Sequence, residues 1–207
     1  GLDNQIMRIL GNKARRDPKR IVFAEADNIK ILKAAQIIFD EGIGFPILLG
    51  KEKKIRAIAE ENSIDIDELP IIDPQSDEQE EKRKAYGDLF FKKRHRRGVN
   101  QYESQKAMRD RNHFGCMMVD AGEADAMISG LTKNYADTIR PAIQIIGCEE
   151  GVQKIAGMYL LLTKRGPLFM ADTTVNFNPT AEELADITLM VAREVRNFNI
   201  TPRIAML

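Results

Sequence analysis

The chain has 207 residues, 43% hydrophobic and 30% charged, with 31 Lys plus Arg against 31 Asp plus Glu. That is enough chain for one large globular domain or two small ones, and the charge balance gives no reason to expect a nucleic-acid or membrane partner. No apolar stretch approaches the roughly 20 residues of a bilayer span, and the start, GLDNQIMRIL, lacks the basic residues and apolar run of a secretory signal, so the expected compartment is the cytoplasm.

Asp3 is placed to cap an amphipathic helix reaching Asn12 and Lys13, which RDPKR then breaks. IVFAEAD (Ile21–Asp27) reads as a strand with an acidic end, followed by a helix over NIKILKAAQIIFDEG. FPILLG is a second strand, KEKKIRAIAEEN a charged helix, and LPIID a short third strand. Strands alternating with helix-length crossovers predict a parallel sheet covered on both faces. A long polar helix is expected from Ser76 to about Arg97, interrupted near Gly87, and another from Gln101 to Met118. EADAMISG (Glu123–Gly130) reads as a buried strand ending in a glycine turn. ADTIRPAIQIIG reads as a helix in which Pro141 marks a start or a kink. From Gly151 the pattern becomes strand, KRG turn, strand, predicting a hairpin or tight connection. Thr180 and Glu183 form a capping box ahead of the next helix, and PRIAML reads as a buried terminal strand. The fold class is therefore α/β: a three-layer α/β/α domain over residues 1–150 with a mainly parallel sheet, then the start of a second α/β domain over 151–207.

A parallel α/β sheet binds ligands outside the carboxyl ends of its strands. Glu25, Asp27 and Gly50 fall there, as do the segments Ser129–Tyr135 and Asp172–Asn178. SGLTKNYADTIR offers Gly130 for close backbone approach, the hydroxyls of Ser129 and Thr132, then Lys133, with Arg140 one turn into a helix. Amides at such a helix start, with those cations, would hold a phosphate or another anion; an ordinary strand–loop–helix cap has the same spacing. KKRHRR (Lys92–Arg97) is the densest positive run, consistent with a solvated helix face or with a polyphosphate ligand such as coenzyme A. Asp172 and Asn176 have the side chains to shape a loop. His95 and His113 are the only histidines and define no catalytic triad by themselves. Cys116 and Cys148 have no metal-ligand spacing, and Cys116 in FGCMMV reads as a buried thiol. Neither a dinucleotide nor a nucleoside-triphosphate loop motif occurs, and no metal site is expected.

IVFAEAD, RDRNHFGCMMVDAGEADAMISGLTKNYADTIRPAIQIIG and MADTTVNFNPTAEELADI together resemble the phosphate acetyltransferase and butyryltransferase family, from about Arg16 to Leu207. Met108–Gly115 (MRDRNHFG) and SGLTKNYADTIRP look more like the acetyltransferase-like domain that ends large bacterial malic enzymes. Free-standing transferases typically carry lysine-aspartate-proline where this chain has Arg109-Asp110-Arg111. The resemblance implies that Arg94 and Arg140 match family arginines that contact substrate. It also implies that a serine-rich loop carrying the transfer chemistry would follow PRIAML, so the chain is expected to be a fragment with no catalytic residue of its own. The implied role is an acyl-CoA-binding regulatory and assembly domain of an NADP-dependent malic enzyme. Acetyl-CoA is then the expected ligand of Arg94, Ser129, Gly130, Thr132, Lys133, Arg140, Asp172 and Asn176. NADP and a divalent metal would belong to the malate-oxidising portion of a homo-oligomeric parent. The alternatives to that role are a catalytic phosphate acetyltransferase and an oligomerisation module that binds no acyl-CoA.

Overall fold

Proline ends the first helix. In the computed structural model of the chain, which describes residues 2–207 with side chains from Gln5 onward, α1 (Leu2–Arg16) runs past Lys13 and stops just before Asp17. The ring of Pro18 disfavours helical backbone at the preceding residue. The expected capping side chain, Asp3, lies outside the described side chains. Two units are distinguished: Ala14–Gly147, and the residues up to Lys13 together with Cys148–Leu207.

In the first unit, β1 (Lys19–Phe23), α2 (Ile29–Asp40), β2 (Gly44–Leu49), α3 (Glu52–Glu61) and β3 (Ile71–Ile72) follow the predicted alternation. Next come α4 (Glu80–Arg94), α5 (Gln101–Ala107), α6 (Arg111–Asp120), β4 (Ala126–Ile128) and α7 (Tyr135–Ile145). The four strands are parallel in the order β3-β2-β1-β4. Strand alternation divides the core between the two faces. Phe23 and Leu48 pack with Leu32, Ile55 and Leu69 on the face of α2 and α3, whereas Val22 and Leu49 pack with Tyr86, Phe90, Phe114 and Met117 on the other. Each such fully buried large side chain contributes roughly 1.5–3 kcal/mol. This is the expected three-layer α/β/α arrangement.

Several local expectations differ from the structure. The polar helix passes through Gly87 uninterrupted, between short 3-10 turns at Asp77–Gln79 and His95–Arg97. Gly87 is there for close approach: a Cβ at that position would lie 2.9 Å from the Cα of Gln105 on α5. The helix expected from Gln101 to Met118 is two helices, because Asp110 takes extended backbone and accepts from the His113 amide, capping α6. β4 is an edge strand, so Ile128 is 46% exposed and the segment is not the buried strand expected. Pro141 lies inside α7, past its first turn, and is buried. The carbonyl of Asp137, deprived of a donor by the proline, belongs to an exposed residue that water can satisfy.

The second unit contains the predicted hairpin, β5 (Met158–Thr163) and β6 (Gly166–Ala171), antiparallel, closed by Lys164 and Arg165. α8 (Ala181–Asn197) opens with the capping box of Thr180 and Glu183, and Lys13 donates to the Asn197 carbonyl at 2.8 Å. The expected terminal strand is not formed: Thr201–Leu207 has no regular structure and is mostly exposed. A strand exists only against a neighbour, and β5 and β6 pair with each other alone among the described residues. No helix among the described residues is long and apolar enough to cross a membrane.

Candidate functional site

After β3 the chain returns past β1 to lay β4 on the opposite side, so the strand order reverses between β1 and β4. In open parallel sheets that reversal splays the connecting loops and leaves the ligand crevice at the carboxyl edge. Here the crevice is bounded by Glu25, just past β1, and by the Ser129–Thr132 turn, just past β4.

Glu25 fills it. Its carboxylate is 4% exposed and accepts from the amides of Gly130 (2.8 Å), Leu131 (2.7 Å) and Thr132 (2.8 Å), and from the Thr132 hydroxyl. Burial alone would raise its pKa, but the donors from Thr132, Leu131 and Gly130 outweigh it and hold the carboxyl below its usual range. The turn expected to cradle an external anion thus already holds an internal one. The glycine at position 130 serves the same geometry: its φ of 111° turns the chain so that consecutive amides converge.

Beneath the turn, Ser129 donates to Asn112 Oδ1 at 2.7 Å, and Asn112, 1% exposed, keeps a buried Nδ2 without a partner. Asp110 gathers three donors at the head of α6: the His113 amide (3.1 Å), His113 Nδ1 (2.8 Å) and Lys133 Nζ (2.8 Å). Desolvation works against its charge, but those donors hold the carboxyl well below the ordinary range. Beside this, a cleft of about 190 Å³ is lined by Asp27, Gly50, Lys51, Lys54, Asp73 and Arg111. Asp27 bridges Arg111 (2.7 Å) and Lys54 (2.9 Å); burial is overcome by these two cations, and its carboxyl falls to about 2.

Ser129, Gly130, Thr132 and Lys133 therefore stand together at the crevice, bonded internally. Arg140, on α7, is the freer cation: its side chain is 60% exposed and its one ion pair among the described residues is to Asp137, at 3.3 Å. Arg94 closes α4 beside Lys93, which pairs with Asp120 at the far end of α6 from Asp110, and its buried Nε has no partner. No hydrogen bond or ion pair joins Arg94 to Lys133 or Arg140 among the described residues. Asp172 and Asn176 belong to the second unit. There Asp172 accepts from the amides of Gly157 (2.8 Å), Val175 (3.2 Å) and Asn176 (2.5 Å) and from Asn176 Nδ2 (2.6 Å). Asn176 Nδ2 also reaches the Ile155 carbonyl at 2.8 Å. Burial opposes ionisation, yet these donors bring Asp172 down to about 2. Both residues build their loop, as their types suggested.

Sequence reasoning placed Glu25 and Asp27 at strand ends without assigning them partners, and it gave Asp110 and Arg111 no role. The acidic close of IVFAEAD was the available signal for the first pair, and the Arg109-Asp110-Arg111 departure for the second. Cys116 is buried as expected, and burial lifts its thiol to about 12, so it is no nucleophile at neutral pH.

A parallel α/β sheet with a filled anion turn at its switch point, joined in one chain to a hairpin-and-helix unit, defines a doubly wound α/β protein with a second small unit. Residues 5–207 match the phosphate acetyl/butaryl transferase family, and the chain belongs to it. It is 36% identical over 205 residues to the NADP-dependent malic enzyme of Escherichia coli (strain K12), covering 99% of this chain and 27% of that protein. It is also 36% identical over 201 residues to the phosphate acetyltransferase of Clostridium acetobutylicum, covering 94% of this chain and 60% of that one. Among solved structures, a phosphotransacetylase from Streptococcus pyogenes superposes with a TM-score of 0.88 at 30% identity, over 99% of this chain and 61% of that chain. The EutD phosphotransacetylase from Staphylococcus aureus superposes with a TM-score of 0.86 at 26% identity, over 98% of this chain and 60% of its own. The chain thus spans about a quarter of the Escherichia coli malic enzyme and about three-fifths of the Clostridium acetobutylicum transferase.

Proposed function

We propose that this phosphate acetyltransferase-like domain binds an acyl-CoA, with acetyl-CoA the first candidate, and acts as a regulatory and assembly domain in a homo-oligomeric malic enzyme. The observation that carries the proposal is the contrast between Arg140 and the turn before it. The amides of Gly130–Thr132 are saturated by Glu25, while Arg140 stands exposed on α7 with one ion pair among the described residues, to Asp137. An incoming phosphate is met by side-chain charge, Arg140 first, rather than by the backbone cradle. Assignment to the malic-enzyme branch is supported by identity along nearly the whole chain. Ligand binding shifts a malate-oxidising portion only if acyl-CoA prefers one of its two conformations. The NADP and divalent metal of that reaction would reside in the same portion.

The equal identity to a phosphate acetyltransferase favours a second reading, acetyl transfer between acetyl phosphate and coenzyme A. In that reaction the thiolate attacks the acetyl carbon, a C–S bond forms, the C–O bond breaks and phosphate leaves with its electron pair. Ser129 is engaged with Asn112 and Cys116 is buried as a thiol, so neither supplies a nucleophile, and none is required because coenzyme A brings its own.

The deciding experiment is calorimetric titration of acetyl-CoA into the intact protein and its Arg140→Ala variant, with acetyl transfer to phosphate assayed in parallel. Binding that requires Arg140, without transfer, supports the sensor. Binding with transfer makes the domain a working acetyltransferase. Absence of binding leaves only the assembly role.

A further inference from the structure

A second positively charged site lies in the first unit, lined by none of the residues that bound the crevice between β1 and β4. Between α4 and α5 runs a groove of about 400 Å³, lined by Glu80, Arg83, Lys84, Tyr102, Lys106 and Arg109. Four cations face one carboxylate there, in a chain whose charges cancel as a whole. None of the four takes part in an ion pair among the described residues.

Arg83 makes the imbalance costly. It is 7% exposed, and its Nη1 donates only to carbonyl oxygens, to Pro74 at 2.8 Å and to Ser76. A guanidinium cannot shed its proton, and a buried charge is normally matched by a counter-charge. Here the two carbonyls satisfy Nη1 but supply no counter-charge, and the residue lines the groove. Lys84 and Arg109 sit on the exposed rim, so an anion in the groove would meet one fixed and two mobile cations.

The groove also carries an aromatic platform. Tyr102 is 73% exposed, and its ring meets the Lys106 ammonium 6.0 Å from its centroid. An exposed aromatic face beside a cluster of unpaired cations suits a ligand with several phosphates and a flat ring. We propose that the α4–α5 groove binds a nucleoside di- or triphosphate, with the phosphates on Arg83, Lys84 and Arg109 and the base over Tyr102. A nucleic-acid strand fits less well, because α5 has seven residues and the charges beyond the groove are net negative. The proposal stands apart from the acyl-CoA reading: none of the groove's lining residues is among those assigned to acyl-CoA, and Arg109 takes part in no ion pair among the described residues.

The test is calorimetric titration of ADP, and separately of inorganic tripolyphosphate, into the intact protein at low ionic strength. Saturable binding of both is expected. The Lys84→Ala/Arg109→Ala double variant should weaken both by at least about tenfold. Tyr102→Ala should weaken ADP by about tenfold and leave tripolyphosphate within about twofold. Because Arg140 can itself meet a phosphate, Arg140→Ala should remove any second binding event at the crevice edge while saturable binding of both probes at the groove persists. All four positions are exposed, and unchanged thermal melts would confirm that the variants fold. No saturable binding of either probe overturns the site. Binding that ignores the groove variants but falls with Arg140→Ala moves the nucleotide to the acyl-CoA edge and also overturns it. An ADP affinity indifferent to Tyr102→Ala refutes the nucleoside assignment.

Discussion

Replacing Glu25 by Ala removes the carboxylate from three amides and a hydroxyl at once. A hydrogen bond to a charged group contributes about 1.5–3 kcal/mol, so a simple sum over four would exceed about 6 kcal/mol. Two effects reduce that figure. The desolvation cost of a carboxylate that is 4% exposed disappears with it, and Gly130, Leu131 and Thr132 lie in an exposed turn where water replaces the lost acceptor. The expected net loss is about 2–4 kcal/mol, seen as a drop of about 10 °C in Tm for a unit of this size, or as a lower urea midpoint at unchanged slope. Glu25→Gln should be no better than Ala, since its amide group turns N–H donors toward N–H donors. The pH dependence follows from the depressed carboxyl pKa. Glu25 contributes stability that is fully present above its unfolded pKa of about 4.3 and is lost as pH falls through the lower folded value. Wild type and Glu25→Ala should therefore converge in acid. Inorganic phosphate should stabilise the Ala variant more than the wild type by entering the vacated turn. A loss below about 0.5 kcal/mol, or full rescue by Gln, would refute the picture of an acceptor-only internal anion.

Gly87→Ala sets helix propensity against packing: Ala gains about 1 kcal/mol in a helix, but its Cβ meets the α5 backbone at 2.9 Å, so a net loss of about 1–2 kcal/mol is expected by denaturant titration. Asp172→Ala should loosen the loop after β6, read as faster amide exchange at Gly157, Val175 and Asn176. Its stabilising effect should hold above about pH 3.9 and vanish as pH falls through about 2. Cys148 should react with a thiol reagent in the folded protein and Cys116 only on unfolding, as judged by mass spectrometry; equal native labelling would contradict the burial of Cys116.

The layer architecture was legible because it rests on local patterns. Alternating apolar strands with helix-length crossovers leave little choice but a parallel sheet between two helical layers, and Thr180 with Glu183 marked its helix start by chemistry alone. Expectations failed where a distant neighbour decides. Gly87 is a helix breaker by propensity, yet it lies where α5 presses closest. PRIAML has the apolar content of a strand but no strand beside it. The residues from Gln101 to Met118 divide because Asp110 finds donors in His113 and Lys133.

Residue types and spacing by themselves determined the class of the fold, the Thr180–Glu183 capping box, the small buried thiol and the neighbourhood in which an anion would be held. Only the tertiary structure decided whose anion it is. Glu25 and Gly130 are 105 residues apart, and their contact depends on β4 pairing beside β1 rather than at the far edge of the sheet. Periodicity records which face of an element is buried. It carries no record of which strand becomes a neighbour, and it is the neighbour that supplies a converging set of amides with its carboxylate.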